Sequence, residues 1–145
     1  MIKKIIHKKK LFALIIDKSF RKLKGVNFLT SPKDTQQIGY MKHKKNHIIQ
    51  PHLHKKRLTK IFFTTEVIIV LKGILRVDFY NNKKKYLFSI FINKNEIIML
   101  IHGGHGFKVI KDVEMLEIKQ GPYLANYDKV KFNKIDEKKI KIKKI

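Results

Sequence analysis

The stretch ILRVDFYNNKKKYLFSIFI, residues 74–92, decides the fold. Its first half alternates between apolar and polar residues, as a strand with one buried face does. The apolar face carries Leu75, Val77 and Phe79. Asn81-Asn82-Lys83 then provides turn-forming residues, and a second apolar run returns the chain. The stretch therefore predicts an antiparallel β-hairpin.

Short, β-branched apolar segments lie on both sides of this hairpin, with turn-forming residues between them. They predict strands at Leu11–Ile16, Gln37–Met41, His47–His54, Phe62–Leu71, Ile97–Ile101, Phe107–Ile110 and Val113–Lys119. Gly73 is expected to end one strand, and Lys111-Asp112 to form a turn between two others. Strands spaced at roughly 8–12 residues, with no helical stretch among them, predict an all-β domain with a closed or double sheet.

The length of 145 residues suits one domain, which we assign to residues 1–132. Residues 133–145 form a lysine-rich tail, for which a short helix, an edge strand and disorder all remain open. The apolar run Leu11–Ile16 is too short for a signal-peptide core or a membrane span, and no later run reaches about 18 residues. We therefore expect a cytoplasmic protein.

The formal charge of +23 raises the question of a nucleic-acid partner. Proteins that recognise phosphates and base edges favour arginine, because its guanidinium forms two parallel hydrogen bonds. Arginine occurs here only at Arg21, Arg57 and Arg76. Abundant lysine beside isoleucine and asparagine is typical of an AT-rich genome. We interpret the positive charge as a result of this composition and as an aid to solubility, and we do not expect nucleic acid as a partner. The alternative is that the charge binds an anionic partner, such as nucleic acid, an anionic lipid or a nucleotide phosphate.

The absence of cysteine excludes disulfides, thiolate ligands and cysteine nucleophiles. Metal chemistry is then restricted to nitrogen and oxygen ligands, which favours Fe, Mn, Ni, Cu or Zn. His52 and His54 are one residue apart, so on a strand both imidazoles would point to the same face. This spacing makes them candidate metal ligands.

A carboxylate and a third imidazole complete a transition-metal ligand set. Glu66 opens a strongly apolar segment, where a buried carboxylate would need a cation; the alternative is a solvated strand end. In His102-Gly103-Gly104-His105, the glycines allow a tight bend that directs an imidazole inward. His102 and His105 are alternatives for one ligand position, and we favour His105.

This layout resembles the cupins, the small double-stranded β-helix (jelly-roll) family. The first cupin motif runs glycine, five residues, His-x-His, three or four residues, glutamate, six residues, glycine. Asn46 stands at the first position, His52 and His54 follow after five residues, and Glu66 is followed after six by Gly73. The departure is the separation of His54 from Glu66 by eleven residues, a loop length that costs little free energy.

The second cupin motif runs glycine, five residues, proline, one residue, glycine, two residues, histidine. Asn95, Ile101 and Gly103 stand at its first three positions, and His105 comes one residue early. Four further segments resemble a group of small bacterial cupins: Gln36–Lys42, Val77–Tyr80, Gly103–Phe107 and Lys119–Tyr123. The resemblance covers Lys10 to Phe132, and members of this group often lie among genes for surface-polysaccharide and nucleotide-sugar biosynthesis.

The resemblance implies a mononuclear divalent-metal site of His52, His54, Glu66 and His105, holding iron, manganese, nickel or zinc. It further implies that the protein binds or acts on a small, sugar-like ligand in surface-polysaccharide metabolism. A homodimer paired through edge strands is also expected. Whether the protein is an enzyme stays open.

Two alternatives to metal chemistry are retained. One is a metal-free nucleotide-sugar isomerase or epimerase, with His52 or His54 as general base and Tyr40 or Tyr123 as acid. The other is a ligand-binding module without turnover.

Overall fold

A computed structural model describes residues 1–21, 24–124 and 127–145, and this part of the chain is all-β, as predicted. Its strands are β1 (Ile2–His7), β2 (Lys10–Ile16), β3 (Gly25–Phe28), β4 (Gly39–Lys42), β5 (Glu66–Tyr80), β6 (Tyr86–Asn93), β7 (Ile97–Leu100) and β8 (Gly104–Lys119). One 3-10 helix follows at Glu137–Lys139. Among the described residues, no helix is long and apolar enough to cross a membrane.

The chain divides into two compact units. The sheet unit comprises Met1–Phe20 and Thr64–Ile145. It contains an antiparallel sheet in the order β1-β2-β7-β5-β6, with β8 also paired to β5. The loop unit, Arg21–Phe63, contains the two-stranded antiparallel sheet of β3 and β4.

The long strands β5 and β8 form a ribbon that bends in its middle. The ladder between them runs from Glu66 opposite Lys119 to Tyr80 opposite Gly104, with register shifts between Val70 and Leu75. The first half of β5 also pairs with β7 and the second half with β6, so the sheet curls into a half-barrel.

The bend requires glycine at position 73. Gly73 has a φ of +83°, in the left-handed region that side chains disfavour. A Cβ there would lie only 2.0 Å from the carbonyl oxygen of Asp112. The backbones of β5 and β8 therefore approach each other more closely here than any side chain would permit.

The core fills the concave side of this curled sheet. Leu75, Val77 and Phe79, the apolar face predicted from alternation, are all buried in it. Residues from β1, β2, β6 and β7 pack against them. The opposite face of β5 is not solvated, because Arg76 and Asp78 are buried as well.

The C-terminal tail accounts for that burial. The Arg76 guanidinium, 7% exposed, lies 2.8 Å from an oxygen of Asp78 and 2.7 Å from an oxygen of Glu137. Farther along, the backbone N–H of Lys141 donates to the Tyr86 hydroxyl, and Ser89 forms a parallel bridge with Ile142. Of the three possibilities for the tail, a short helix and a strand-like bridge are therefore both observed.

Several predicted boundaries are wrong. The strand expected at His47–His54 is not formed, and residues 43–65 contain no strand. Pro51 lacks the N–H that a ladder needs, and alternation by itself supplies no neighbouring strand. The prediction also omitted β1, which lies in the basic N-terminus, and β3.

The prediction that one strand ends at Gly73 and that Lys111-Asp112 forms a turn between two strands is also wrong. Both positions lie inside continuous strands, β5 and β8, and both lie where the ladder register shifts. The chain changes direction there through a bend with retained pairing rather than through a turn.

Replacing Gly73 by alanine is expected to destabilise the protein by more than about 2 kcal/mol, because the positive φ and the backbone clash both oppose a Cβ. Urea denaturation measures this loss. Gly106→Ala is the control on the neighbouring strand, since a Cβ there meets nothing closer than Tyr80 at 3.8 Å. Equal stability of the two variants would contradict the role of Gly73.

Replacing Arg76 by glutamine is expected to cost about 3 kcal/mol, because it leaves Asp78 buried without its cation. The same change at Lys72 is the control. Its ion pair with Glu114 has side chains 60% and 67% exposed, so its loss should cost below about 1 kcal/mol. Urea unfolding of both variants at neutral pH gives the comparison, and a loss at Arg76 no larger than at Lys72 would show that the buried pair is not stabilising.

Candidate functional site

Glu66 and His105 are in direct contact in the sheet unit. Nε2 of His105 lies 2.8 Å from a carboxylate oxygen of Glu66, and the side chains are 27% and 13% exposed. Glu66 is the first residue of β5 and His105 the second residue of β8. A half-buried carboxylate and imidazole thus form a hydrogen-bonded pair that solvent still reaches.

No ladder of β5 pairs Glu66 with His105 directly. Glu66 stands opposite Lys119 of β8 and Leu100 of β7, and opposite His105 stands Phe79. In a flat ribbon, the distance along β5 from residue 66 to residue 79 would be about 43 Å, at about 3.3 Å per residue. The bend at Gly73 folds one half of the ribbon over the other and so brings the two side chains together.

The contact with His105 lowers the pKa of Glu66. The hydrogen bond donated by His105 holds the pKa of Glu66 below its ordinary value of 4.5. Burial acts in the opposite direction, and the positive charges of His105, Lys119 and Lys129 reinforce the lowering. The carboxylate is therefore ionised at neutral pH and available to a cation.

Hydrogen bonds beside Glu66 hold the start of β5 in place. The backbone N–H of Thr65 donates to Oε1 of Gln120 at 2.8 Å, and Nε2 of Gln120 donates to the Thr65 hydroxyl at 2.8 Å. Lys119, which faces Glu66 across the ladder, forms an ion pair with Asp128. Its ammonium also lies 4.7 Å from the centre of the Tyr123 ring. The nearest lysine is thus bound elsewhere, and the direct partner of Glu66 is the imidazole.

His52 and His54 lie in the loop unit, on an exposed segment without strand structure. Their rings are neighbours nevertheless, with centroids 5.2 Å apart and planes at 78°. Nδ1 of His52 lies 3.0 Å from the carbonyl oxygen of Gln50. If Nδ1 carries the proton of that hydrogen bond, Nε2 of His52 keeps its lone pair.

The loop unit holds a second histidine pair that sequence reasoning did not single out. His43 and His47 stack with ring centroids 4.1 Å apart and planes 2° from parallel. Nε2 of His43 is buried and has no hydrogen-bond partner among the described residues. The four-residue spacing of the two histidines was the available signal.

The two histidines of the glycine-rich bend have different surroundings. His105 contacts Glu66, whereas His102 packs edge-on against Phe12, with ring centroids 5.3 Å apart. Of the two alternatives for one ligand position, His105 is the one beside the carboxylate.

The four predicted ligands are found as two pairs, Glu66 with His105 and His52 with His54. Within residues 1–21, 24–124 and 127–145, no group of three or more histidine, aspartate or glutamate side chains lies close enough together to hold a metal ion. No known protein family, curated protein or solved structure matched the chain.

Replacing Glu66 by glutamine is expected to weaken the dependence of stability on pH. Because the pKa of Glu66 in the folded state lies below 4.5, its ionised form stabilises the fold above that pH. This contribution is lost as the pH falls through the lowered pKa. The free energy of unfolding, measured in urea between about pH 7 and pH 3, should therefore fall less steeply in Glu66→Gln than in the wild type.

Glu114→Gln is the matched control, since Glu114 is 67% exposed and its ion pair with Lys72 lies at the surface. Its pH profile should parallel that of the wild type. A Glu66→Gln profile with the same steepness as the control would mean that the contact with His105 does not stabilise the carboxylate.

Proposed function

We propose that this protein is a single-domain cupin whose jelly-roll barrel binds one divalent transition metal through His52, His54, Glu66 and His105. We further propose that it binds or acts on a small, sugar-like ligand in surface-polysaccharide metabolism. The observation that carries the metal proposal is the 2.8 Å contact between Glu66 and His105. The cupin resemblance assigns these two residues to separate motifs, and they meet in the folded chain.

The curled sheet supports the jelly-roll part of the proposal. A half-barrel made of one curled antiparallel sheet is the framework that a jelly roll completes. In the described part of the chain, β8 pairs with β5 and with no other strand. A closed jelly roll would have a further strand at the other edge of β8.

The chemistry of Glu66 and His105 suits a metal. An ionised carboxylate oxygen and an imidazole nitrogen are ordinary ligands of first-row divalent ions. Nε2 of His105 lies against a carboxylate oxygen of Glu66, and with His52 and His54 these two residues would hold such an ion. The ion would supply Lewis acidity toward a hydroxyl or carbonyl oxygen.

The same contact favours a second candidate, a metal-free isomerase or epimerase. A carboxylate that accepts a hydrogen bond from one ring nitrogen orients the imidazole and stabilises its protonated form. His105 could then act as a general base with Glu66 behind it. This assigns the proton transfer to His105 rather than to His52 or His54, which lie on the exposed segment.

Metal analysis of protein purified without chelators separates the two candidates. After equilibration with iron, manganese, nickel or zinc, the wild type should hold one ion per chain. The His52→Ala/His54→Ala double variant and Glu66→Gln should each lose most of the bound metal. Replacing a residue that only supports a ligand weakens metal affinity about 10–100-fold, and removing a ligand itself weakens it further.

The His43→Ala/His47→Ala double variant is the control. It removes two histidines from the same loop unit that are not among the proposed ligands, and it should retain the metal. An active wild-type protein that holds no stoichiometric metal would overturn the metal proposal in favour of acid–base chemistry.

A further inference from the structure

A cleft of about 470 Å³ lies within the sheet unit. It is bordered by the turn between β1 and β2 on one side and by the turn between β5 and β6 on the other. Its volume is in the range of sites for small organic molecules. The described residues that line it include four lysines and two histidines and no carboxylate.

The rim of the cleft is cationic. Lys8 lies in the turn between β1 and β2 and Lys10 begins β2, whereas Lys83 and Lys85 lie in the turn between β5 and β6. All four are exposed, and none forms an ion pair with a carboxylate of the described residues. Ammonium groups gathered around one cavity repel one another, and an anion between them offsets that repulsion.

The second turn is held in a fixed shape. Oδ1 of Asn81 accepts hydrogen bonds from the backbone N–H groups of Lys83 at 2.9 Å and Lys85 at 3.0 Å. On the other side, His7 and Lys10 are paired across the β1–β2 ladder. The backbones that carry the lysines are thus positioned before any ligand arrives.

The floor of the cleft is aromatic. Phe12 is 3% exposed, and the rings of His7 and His102 meet it edge-on at 5.9 and 5.3 Å between centroids. Gly103 permits this packing, since a Cβ there would lie 2.5 Å from the Phe12 ring. Burial, with the charge of Lys10, lowers the pKa of His102, so its ring is neutral at pH 7.

We propose that this cleft binds an organic phosphate with the chemistry of a nucleoside diphosphate. The lysines of the rim hold the phosphate groups, and the partly exposed rings of His7 and His102, packed on the buried Phe12, receive a flat ring. Inorganic phosphate alone would use the rim and leave the floor empty. The proposal involves none of the four predicted metal ligands, so it stands or falls independently of the metal site.

Isothermal titration with three probes tests both halves of the proposal: ADP, pyrophosphate and adenosine, in magnesium-free buffer at about 0.1 M salt. ADP is expected to bind most tightly, pyrophosphate about tenfold more weakly, and adenosine most weakly. The Lys10→Gln/Lys85→Gln variant should lose about tenfold or more of the ADP affinity, because one cation is removed from each side of the cleft.

Lys44→Gln/Lys45→Gln is the matched control. It changes the net charge equally, at exposed positions that do not line the cleft. Its ADP affinity should stay within about twofold of the wild type, since these two lysines do not line the cleft and exposed charges are screened at this salt concentration. The His52→Ala/His54→Ala variant should also bind ADP normally.

Four results would overturn the proposal. Undetectable ADP binding at millimolar concentration would exclude the site. An equal loss of affinity in both lysine variants would assign binding to diffuse charge, and pyrophosphate binding as tightly as ADP would remove the aromatic floor from recognition. Loss of ADP binding in the His52→Ala/His54→Ala variant would place the ligand at the predicted metal site instead.

Discussion

The structure of the sheet unit depends on the bend of the β5–β8 ribbon at Gly73. Two strands of this length, paired throughout in a flat sheet, would expose both faces and bury little apolar surface. The bend lets the two halves of β5 contribute to one core and join different neighbours, β7 and β6. It also brings Glu66 to His105. Only glycine serves at the bend, because its φ is positive and the carbonyl oxygen of Asp112 occupies the space of a Cβ.

A second polar arrangement secures the outer face of the ribbon. Asp78 accepts hydrogen bonds from Arg76 and from the Ser89 hydroxyl, the latter at 2.5 Å, and Arg76 also binds Glu137 of the tail. Buried charges are tolerated here because each has a partner with good geometry. Alternation at residues 74–80 identified these positions as polar. It did not show that they face a segment about sixty residues farther along the chain rather than water.

The apolar and turn-forming residues of short segments were enough to predict several strands and one turn. The alternating strand at residues 74–80, the turn that follows it, and β2, β6 and β7 were all found from apolar periodicity and turn residues. The strand at His47–His54 was predicted on the same grounds and is not formed, because a strand also needs a neighbour to pair its backbone, which alternation does not provide. For the site, sequence motifs selected Glu66 and His105. Their contact depends on the bend, and no pattern within either motif shows it.

The identity of the cation beside Glu66 determines what chemistry the site can perform. Lys119 stands opposite Glu66 in the ladder, and a lysine there would keep its proton at neutral pH and block the carboxylate permanently. Asp128 and the Tyr123 ring hold Lys119 away, which leaves His105 as the direct partner. An imidazole nitrogen donates a hydrogen bond when it carries a proton and is a metal ligand when it does not. Under the proposed function, the contact between Glu66 and His105 is therefore the place where a metal ion would bind or a substrate proton would be transferred.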